Sequence, residues 1–182
     1  AGARARSRWV VSGGGVAMSY SLYTVFQDHR DQLVAQLSKT VTKQAPDFAK
    51  LGKQRLKEDC EYLFDGAVDR ICTGDEGGLR TFFGYLVRRT ASGFDFADAA
   101  RAVLAMNAVM RQFLQAAYRE QVVGGGRGAY EEAMTAVEEG CNEAVIVLCE
   151  VFQNHVQSRV AEHNEDGKKL GEEFNRLILF KG

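Results

Sequence analysis

Proline is nearly absent from this sequence, since Pro46 is the only one among 182 residues. Proline interrupts helices because it lacks a backbone N–H donor and its ring clashes with the preceding turn. The chain also lacks stretches in which apolar and polar residues alternate, the pattern that is typical of half-buried strands. The two absences together predict an all-α protein in which helices can run long.

Neither sign of charge dominates the sequence: 23 Lys and Arg stand against 24 Asp and Glu, and the formal net charge is −1. Proteins that bind nucleic acids usually carry a basic excess or a basic stripe, so we expect no nucleic-acid partner. No run of about 18 apolar residues occurs, which excludes a predicted membrane-spanning helix. The balance of 46% hydrophobic and 26% charged residues is typical of a globular domain.

Cysteines are few and none of them lies in a CxxC pair. They are Cys60, Cys72, Cys141 and Cys149. No paired histidines lie nearby to complete a zinc site. The pattern is typical of reduced, buried thiols in a cytoplasmic protein.

Histidine, on which haem and most metal sites depend, occurs only three times, as His29, His155 and His163. A globin-like haem pocket needs a proximal histidine in the middle of the helical array, at about residues 79–108, and that stretch has none. His155 is the fallback haem ligand. We therefore predict no cofactor.

Other reactive patterns are incomplete. An acidic series at helical spacing is formed by Glu58, Glu61, Asp65 and Asp69. It lies opposite an apolar stripe and is predicted to face water, and no Glu-x-x-His motif of a di-metal bundle is present. The GGGRG run at 124–128 lacks the Lys-Ser/Thr pair of a phosphate-binding loop. We predict neither a metal site nor an enzyme, with a di-metal bundle enzyme as the second alternative.

Apolar residues recur every three to four positions in several segments, which predicts amphipathic helices. The first segment covers about 20–43, the second 56–71, and a short aromatic helix follows the TGDEGG break. The most regular segment opens at Phe96 and ends near Val123. Its seven apolar positions are Phe96, Ala99, Val103, Met106, Met110, Phe113 and Ala117. These segments predict a bundle of five to six helices around one core.

The last periodic segment is the longest. It runs from about residue 129 to 161, which corresponds to roughly 50 Å of helix at 1.5 Å per residue, so its C-terminal end is predicted to project. A short amphipathic linker helix is predicted after HNEDG, within residues 163–182. Residues 1–17 are basic and Gly-rich and precede Met18; they are predicted to be a disordered tag or upstream extension. The domain itself is assigned to 18–162.

The stretch LVRRTASGFDFADAARAVLAM at 86–106 has the layout of two helices joined by a tight corner. Ser92-Gly93 is predicted to stop the first helix, and Asp95 to cap the next one. The outer face after Asp95 carries Arg101 as the only basic residue of its first two turns. A DNA-recognition helix displays more polar and basic side chains than this, so the corner is predicted to shape the fold.

The segment RTFFGYLVRRTASGFDFADAARAVLAMNAVMRQFL at 80–114 resembles the N-terminal sensor domain of RsbR-type stressosome proteins, the non-haem globin-like family. The outline of the resemblance extends from about residue 22 to 160. It implies a cytoplasmic, haem-free, globin-like homodimer that passes an input through its last helix to STAS-domain or kinase signalling partners. Family members commonly continue into a STAS domain, and this chain stops at Gly182 without one. It is expected to be either a stand-alone member or an excised sensor region.

These observations predict a non-catalytic signal-sensing and interaction domain. The residues predicted to couple the sensor to its partner are Leu148, Val151, Phe152, Val156, Leu170 and Phe174. The first alternative is a haem or small-ligand sensor of the globin-coupled class. Its pocket would be lined by Phe82, Phe83, Met106 and Met110.

Overall fold

The computed structural model describes residues 8–10, 19–90, 94–120 and 126–179, with side chains described from Leu22 to 170 except at position 90, and at Glu172. These residues form seven helices and one short two-stranded ladder. The helices are α1 (Leu22–Asp28), α2 (Arg30–Gln44), α3 (Pro46–Ala49), α4 (Lys53–Thr73), α5 (Gly77–Thr90), α6 (Phe96–Arg119) and α7 (Gly126–Leu179). The prediction of an all-α fold is confirmed.

The ladder pairs strand β1 (Arg8–Val10) with strand β2 (Ser19–Ser21) in antiparallel register, and Trp9 lies opposite Tyr20. The sequence predicts no ordered structure in residues 1–17, so β1 is a departure from that prediction. Aromatic side chains favour extended backbone, and each strand carries one of them. The remaining residues of 1–17 lie outside the described part of the chain.

The core lies between five of the helices. Helix α6 packs against α2 and α7, and helix α4 packs against α2, α5 and α7. The regular stripe predicted on α6 faces this core, where Val103, Met106 and Met110 are almost completely buried. Removing apolar surface from water stabilises the fold by about 25 cal/mol per Å². On α6, the spacing of apolar residues therefore predicted the buried face correctly.

The first predicted helix is interrupted at His29, which separates α1 from α2. His29 has φ −113° and ψ 13°, outside the helical range, and its Nδ1 lies 3.0 Å from the carbonyl oxygen of Val25. Because the ring contacts the carbonyl oxygen that a helical backbone N–H would bond, the side chain competes with the backbone hydrogen bonds of the helix. Pro46 then opens the short helix α3 at its first position, which suits a residue without a backbone donor. These two features explain why seven helices form where five to six were predicted.

Helix α7 is a single element of 54 residues, so the predicted break at HNEDG is wrong. One glycine, Gly167, costs a helix only about 1 kcal/mol relative to alanine, and no proline is present there. Lys169 Nζ also lies 3.2 Å from Glu165 Oε1, four residues earlier, across the expected break. At 1.5 Å per residue, α7 is roughly 80 Å long. We call residues 126–152 its inner half and residues 153–179 its outer half.

Helix α7 approaches α4 closely at Gly140. A Cβ atom added there would overlap Cγ1 of Ile71 and lie 3.3 Å from its Cα. We expect Gly140→Ala to lower the free energy of unfolding by about 1–3 kcal/mol, because overpacking forces the helices apart. Chemical denaturation monitored by circular dichroism measures the change.

Gly84→Ala is the matched control, because Gly84 also lies inside a helix but has no heavy atom within 4 Å of the added Cβ. It should raise stability by up to about 1 kcal/mol through helix propensity. Equal effects of the two substitutions would show that α4 and α7 do not meet at Gly140.

Candidate functional site

The inner half of α7 is held in the bundle from two sides. Leu148 is fully buried in the core. Glu150 accepts a hydrogen bond from Arg80 of α5 at 2.6 Å, and Glu138 accepts one from Arg111 of α6 at 3.5 Å. These ion pairs flank the apolar face of α7, so the helix has a defined rotation against α5 and α6.

The helix leaves the bundle at Phe152. The Phe152 ring packs on Phe96, the first residue of α6, with the ring centroids 4.3 Å apart. His155 is still half-buried one turn later. From Val156 onward, every described side chain of α7 is exposed. The predicted projection is therefore present and begins at this aromatic contact.

The residues predicted to couple the sensor to its partner fall into three groups. Leu148 belongs to the chain's own core, and Val151 and Phe152 are half-buried against the bundle. Val156 and Leu170 lie on the surface of the chain, with exposed fractions of 42% and 71%. The side chain of Phe174 lies outside the described residues. Leu148 is therefore not accessible to a partner, and two of the predicted coupling residues are exposed.

Two exposed residues of α7 were missed. Ile146 is 56% exposed and Val160 is 55% exposed. Ile146 was hidden in the sequence among apolar neighbours that are buried, such as Val147, whereas Val160 lies among exposed residues beyond the bundle. The face to which each one belongs becomes clear only once the rotation of α7 against the bundle is known.

A buried carboxylate on α4 was also missed. Asp59 is fully buried, and it accepts a hydrogen bond from Arg89 Nη1 at 3.0 Å, while Arg55 Nε lies 3.1 Å from its other oxygen. The Arg89 guanidinium also stacks over the Phe94 ring at 4.6 Å. Burial raises the pKa of Asp59, although both arginines act to lower it. The cluster ties the end of α5 and the corner before α6 to α4.

A second carboxylate network fixes the corner itself. Asp95 accepts a hydrogen bond from the backbone N–H of Ala97 at 2.9 Å, so its predicted capping role is confirmed. The buried Asp98 accepts from the backbone N–H of Asp47 at 2.6 Å and pairs with Arg101. The predicted stop at Ser92-Gly93 lies outside the described residues. The polar groups of the corner are engaged with one another, which supports a structural role for it.

We expect Asp98→Ala to lower the free energy of unfolding by about 2 kcal/mol. The substitution leaves the backbone N–H of Asp47 without its partner, and an unsatisfied buried donor costs about 1–3 kcal/mol. Urea denaturation measures the loss. Asp31→Ala, at a side chain that is 97% exposed, should change stability by less than about 0.5 kcal/mol. A loss no larger than that of the control would contradict the network.

The four residues predicted to line a ligand pocket lie in the core. Phe82, Phe83, Met106 and Met110 are all buried, with exposed fractions between 0% and 4%. The rings of Phe82 and Phe83 pack on each other with centroids 5.7 Å apart. All four side chains therefore belong to the hydrophobic core of the bundle.

An open groove lies elsewhere, between α2 and α4, with a volume of about 520 Å³. Val34 and Leu56 contribute apolar surface to it, and Lys39, Lys53 and Lys57 contribute ammonium groups. The size falls within the range of about 300–1,000 Å³ that is usual for small-molecule sites.

Within the described residues, no group of three or more His, Cys, Asp and Glu side chains is placed to hold a metal ion. The acidic series on α4 was predicted to face only water, yet Asp65 accepts two hydrogen bonds from Arg30 of α2, at 2.8 Å and 2.6 Å.

The three histidines lie apart from one another in the chain. The ring of His29 lies 4.8 Å from that of Phe113. His155, the fallback haem ligand, is half-buried where α7 leaves the bundle, and His163 is exposed.

The thiols differ in their surroundings. Cys60 and Cys141 are buried, Cys72 is half-buried, and Cys149 is exposed. Burial raises the pKa of Cys60 to about 11 and the pKa of Cys72 and Cys141 to about 12. Because the thiolate is the reactive form, these three thiols are protected. The prediction of buried thiols therefore fails at Cys149.

Among the described residues, no helix has the length and hydropathy that a bilayer-crossing segment requires. Comparison of the chain with protein-family models, with curated proteins and with solved structures finds no match.

Proposed function

We propose that this chain is a non-catalytic signal-sensing and interaction domain that works as a homodimer. The helical bundle takes up an input, and α7 relays it to a partner. The observation that carries the proposal is the division of α7, a continuous helix whose inner half packs in the bundle and whose described side chains from Val156 onward are all exposed.

The contacts of the inner half support a relay. The helix touches α4, α5 and α6, so a rearrangement of any of them moves α7. A hydrogen-bonded helix transmits displacement along its axis, and packed interfaces switch between discrete arrangements rather than deforming smoothly. A shift at Phe152 would therefore reach residue 170, about 27 Å further along the helix.

The buried polar groups support a structural role for the bundle. Asp59 is paired with two arginines, and Asp98 is bonded to a backbone N–H and to Arg101. A general acid or base needs a carboxyl group that can reach a substrate, whereas these two are engaged within the protein. Asp59 and Asp98 accordingly hold the corner and take no part in chemistry.

The downstream partner is proposed from the resemblance to RsbR-type sensor domains. That resemblance implies a cytoplasmic, globin-like domain whose signal passes to STAS-domain or kinase signalling proteins. The near-neutral charge, −1 in 182 residues, supports a protein partner rather than a nucleic acid.

Hydrogen exchange of the full chain tests the relay. Phe96→Ala removes the aromatic contact where α7 leaves the bundle, and we expect it to change amide exchange across residues 156–170. Tyr62→Ala, at a residue of α4 that is 62% exposed, is the control and should leave that exchange unaltered. Exchange beyond Phe152 that is the same in wild type and Phe96→Ala would contradict the relay.

Light scattering tests the homodimer and is expected to give twice the mass of one chain at high micromolar concentration.

A second candidate function, binding of a small ligand, is favoured by the groove between α2 and α4. Its apolar surface from Val34 and Leu56 and its three lysines, which outnumber the single lining carboxylate of Asp31, suit a small amphipathic anion, such as a medium-chain carboxylate. We expect decanoate to raise the melting temperature of the wild type but not that of Lys53→Met. Lys43→Met, at an exposed lysine of α2 that does not line the groove, is the control. No rise in the wild type would contradict ligand binding at this groove.

A further inference from the structure

The large apolar side chains that remain exposed are concentrated on α7. Four of the seven in the described chain lie there, and they are Ile146, Val156, Val160 and Leu170. Single exposed apolar residues are normal on a protein surface, but aligned ones indicate an interaction site. These four residues therefore indicate a surface that another protein surface covers.

These residues share one face of the helix. They fall on a series with alternating steps of three and four residues, at positions 146, 149, 153, 156, 160, 163, 167 and 170. This is the spacing of a coiled-coil contact face. The face, here called the α7 stripe, starts on the inner half, where Leu148 turns toward the core, and continues along the outer half. It thus runs from the bundle onto the projecting helix, with Gln153, His163 and Gly167 at the stripe positions between the apolar residues.

Helix α6 adds one residue beside the stripe. Helices α6 and α7 run antiparallel, because Arg111 reaches Glu138 while Phe96 reaches Phe152. Leu104 lies two turns before Arg111 on the same face of α6, and it is 59% exposed. It is therefore level with the start of the α7 stripe, and the apolar surface extends onto the bundle.

We infer that the α7 stripe pairs with the same stripe of a second copy of this chain, in parallel and in register. This inference rests on the proposed homodimeric function and specifies its geometry. In such a pair each stripe residue meets its own counterpart, as a two-fold axis requires. The flanking positions place Arg159 opposite Asn164 and Asp166 opposite the glycine at 171, so no like charges meet. An antiparallel pair with Val156 opposite Val160 would instead bring two Arg159 side chains together.

Parallel pairing has a chemical signature at Cys149, which lies on the stripe and is exposed. It would face Cys149 of the second copy across the axis. The other three thiols are protected by burial and have raised pKa values. Mild oxidation should therefore join two chains through this one position.

The experiment oxidises the full chain, at the same high micromolar concentration as the light scattering, with copper-phenanthroline, which accepts the electrons of the two thiols. We expect a covalent dimer on a non-reducing gel, retained in Cys72→Ser and lost in Cys149→Ser. Val160→Glu should abolish the cross-link and raise the dimer dissociation constant roughly 100-fold or more, since it would bury two unpaired carboxylates. Ser158→Glu, an exposed residue off the stripe, should retain both.

The outcomes separate the two proposals. A chain that light scattering shows to be monomeric contradicts both the homodimeric function and its geometry. A dimer that gives no Cys149 cross-link, or one that Val160→Glu leaves intact, overturns the parallel stripe alone. Because Val160 is exposed in the single chain, circular dichroism should show that the bundle of Val160→Glu still folds.

Discussion

Replacing Arg89 with methionine is expected to lower the free energy of unfolding at pH 7 by about 3 kcal/mol. The substitution removes one of the two cations beside the fully buried Asp59 but keeps most of the apolar length of the side chain. Breaking a buried ion pair typically costs about 3–5 kcal/mol because one charge is left without compensation. We expect the lower end of that range, since Arg55 stays 3.1 Å from Asp59. Urea denaturation measures the loss.

The loss should also depend on pH in a defined direction. Burial raises the pKa of Asp59 above its ordinary value, so the folded chain holds this proton more strongly than the unfolded chain does. The stability that protonation of Asp59 contributes is fully present below the unfolded pKa of about 3.9. It is lost as the pH rises through the folded pKa. Without Arg89 the folded pKa rises further, so the deficit of Arg89→Met should shrink from pH 7 toward pH 4.

Two controls isolate the Asp59 charge. The double variant Asp59→Asn with Arg89→Met removes the carboxylate that has lost one of its two arginines and should recover part of the lost stability. Arg127→Met breaks an ion pair whose arginine is 84% exposed and should cost less than about 1 kcal/mol. If Arg89→Met is no more destabilising than Arg127→Met, the buried cluster does not hold the corner.

Phe83→Ala is expected to lower the free energy of unfolding by about 3–5 kcal/mol. Phe83 is fully buried and packs against Phe82, and truncating a packed phenylalanine removes apolar burial and leaves a cavity. The substitution also distinguishes a packing role of Phe83 in the core from a role in lining a ligand pocket. If Phe83 lined a ligand pocket, it would have few packing partners to lose, and the alanine variant would be nearly as stable as the wild type.

Tyr62→Ala is the matched aromatic control, because the Tyr62 side chain is 62% exposed. It should change stability by no more than about 0.5 kcal/mol. A loss in Phe83→Ala close to that of Tyr62→Ala would favour the small-ligand sensor over a filled core. Guanidinium denaturation at fixed pH measures both variants.

Helix positions were predictable from the sequence because they follow from local spacing. The stripe through Val103, Met106 and Met110 and the capping residue Asp95 were both assigned correctly. The break at His29 was not, since it depends on one ring contacting the carbonyl of Val25. The continuity of α7 through HNEDG was missed because one glycine lowers helix propensity without ending a helix.

The candidate site was less predictable, because it depends on how helices rotate against each other. Leu148 and Ile146 are both apolar and two positions apart, yet one is buried and the other is 56% exposed. Asp59 gives no local signal of burial either. Its partners Arg55 and Arg89 lie four and 30 residues away, and the second becomes a neighbour only when α4 packs on α5. Contacts between distant segments decide both cases.

The relay requires α7 to remain one helix from the bundle past HNEDG, and a distance between two spin labels tests this directly. In a Cys149→Ser background, Asn154→Cys and Glu172→Cys place labels on exposed positions on either side of the predicted break. Their separation of 18 residues is five full turns, or about 27 Å along a continuous helix. With labelled chains diluted into unlabelled protein, double electron–electron resonance should give one narrow distribution near that value. A broad distribution, or one centred well below it, would show that α7 is broken within its outer half and would contradict the relay.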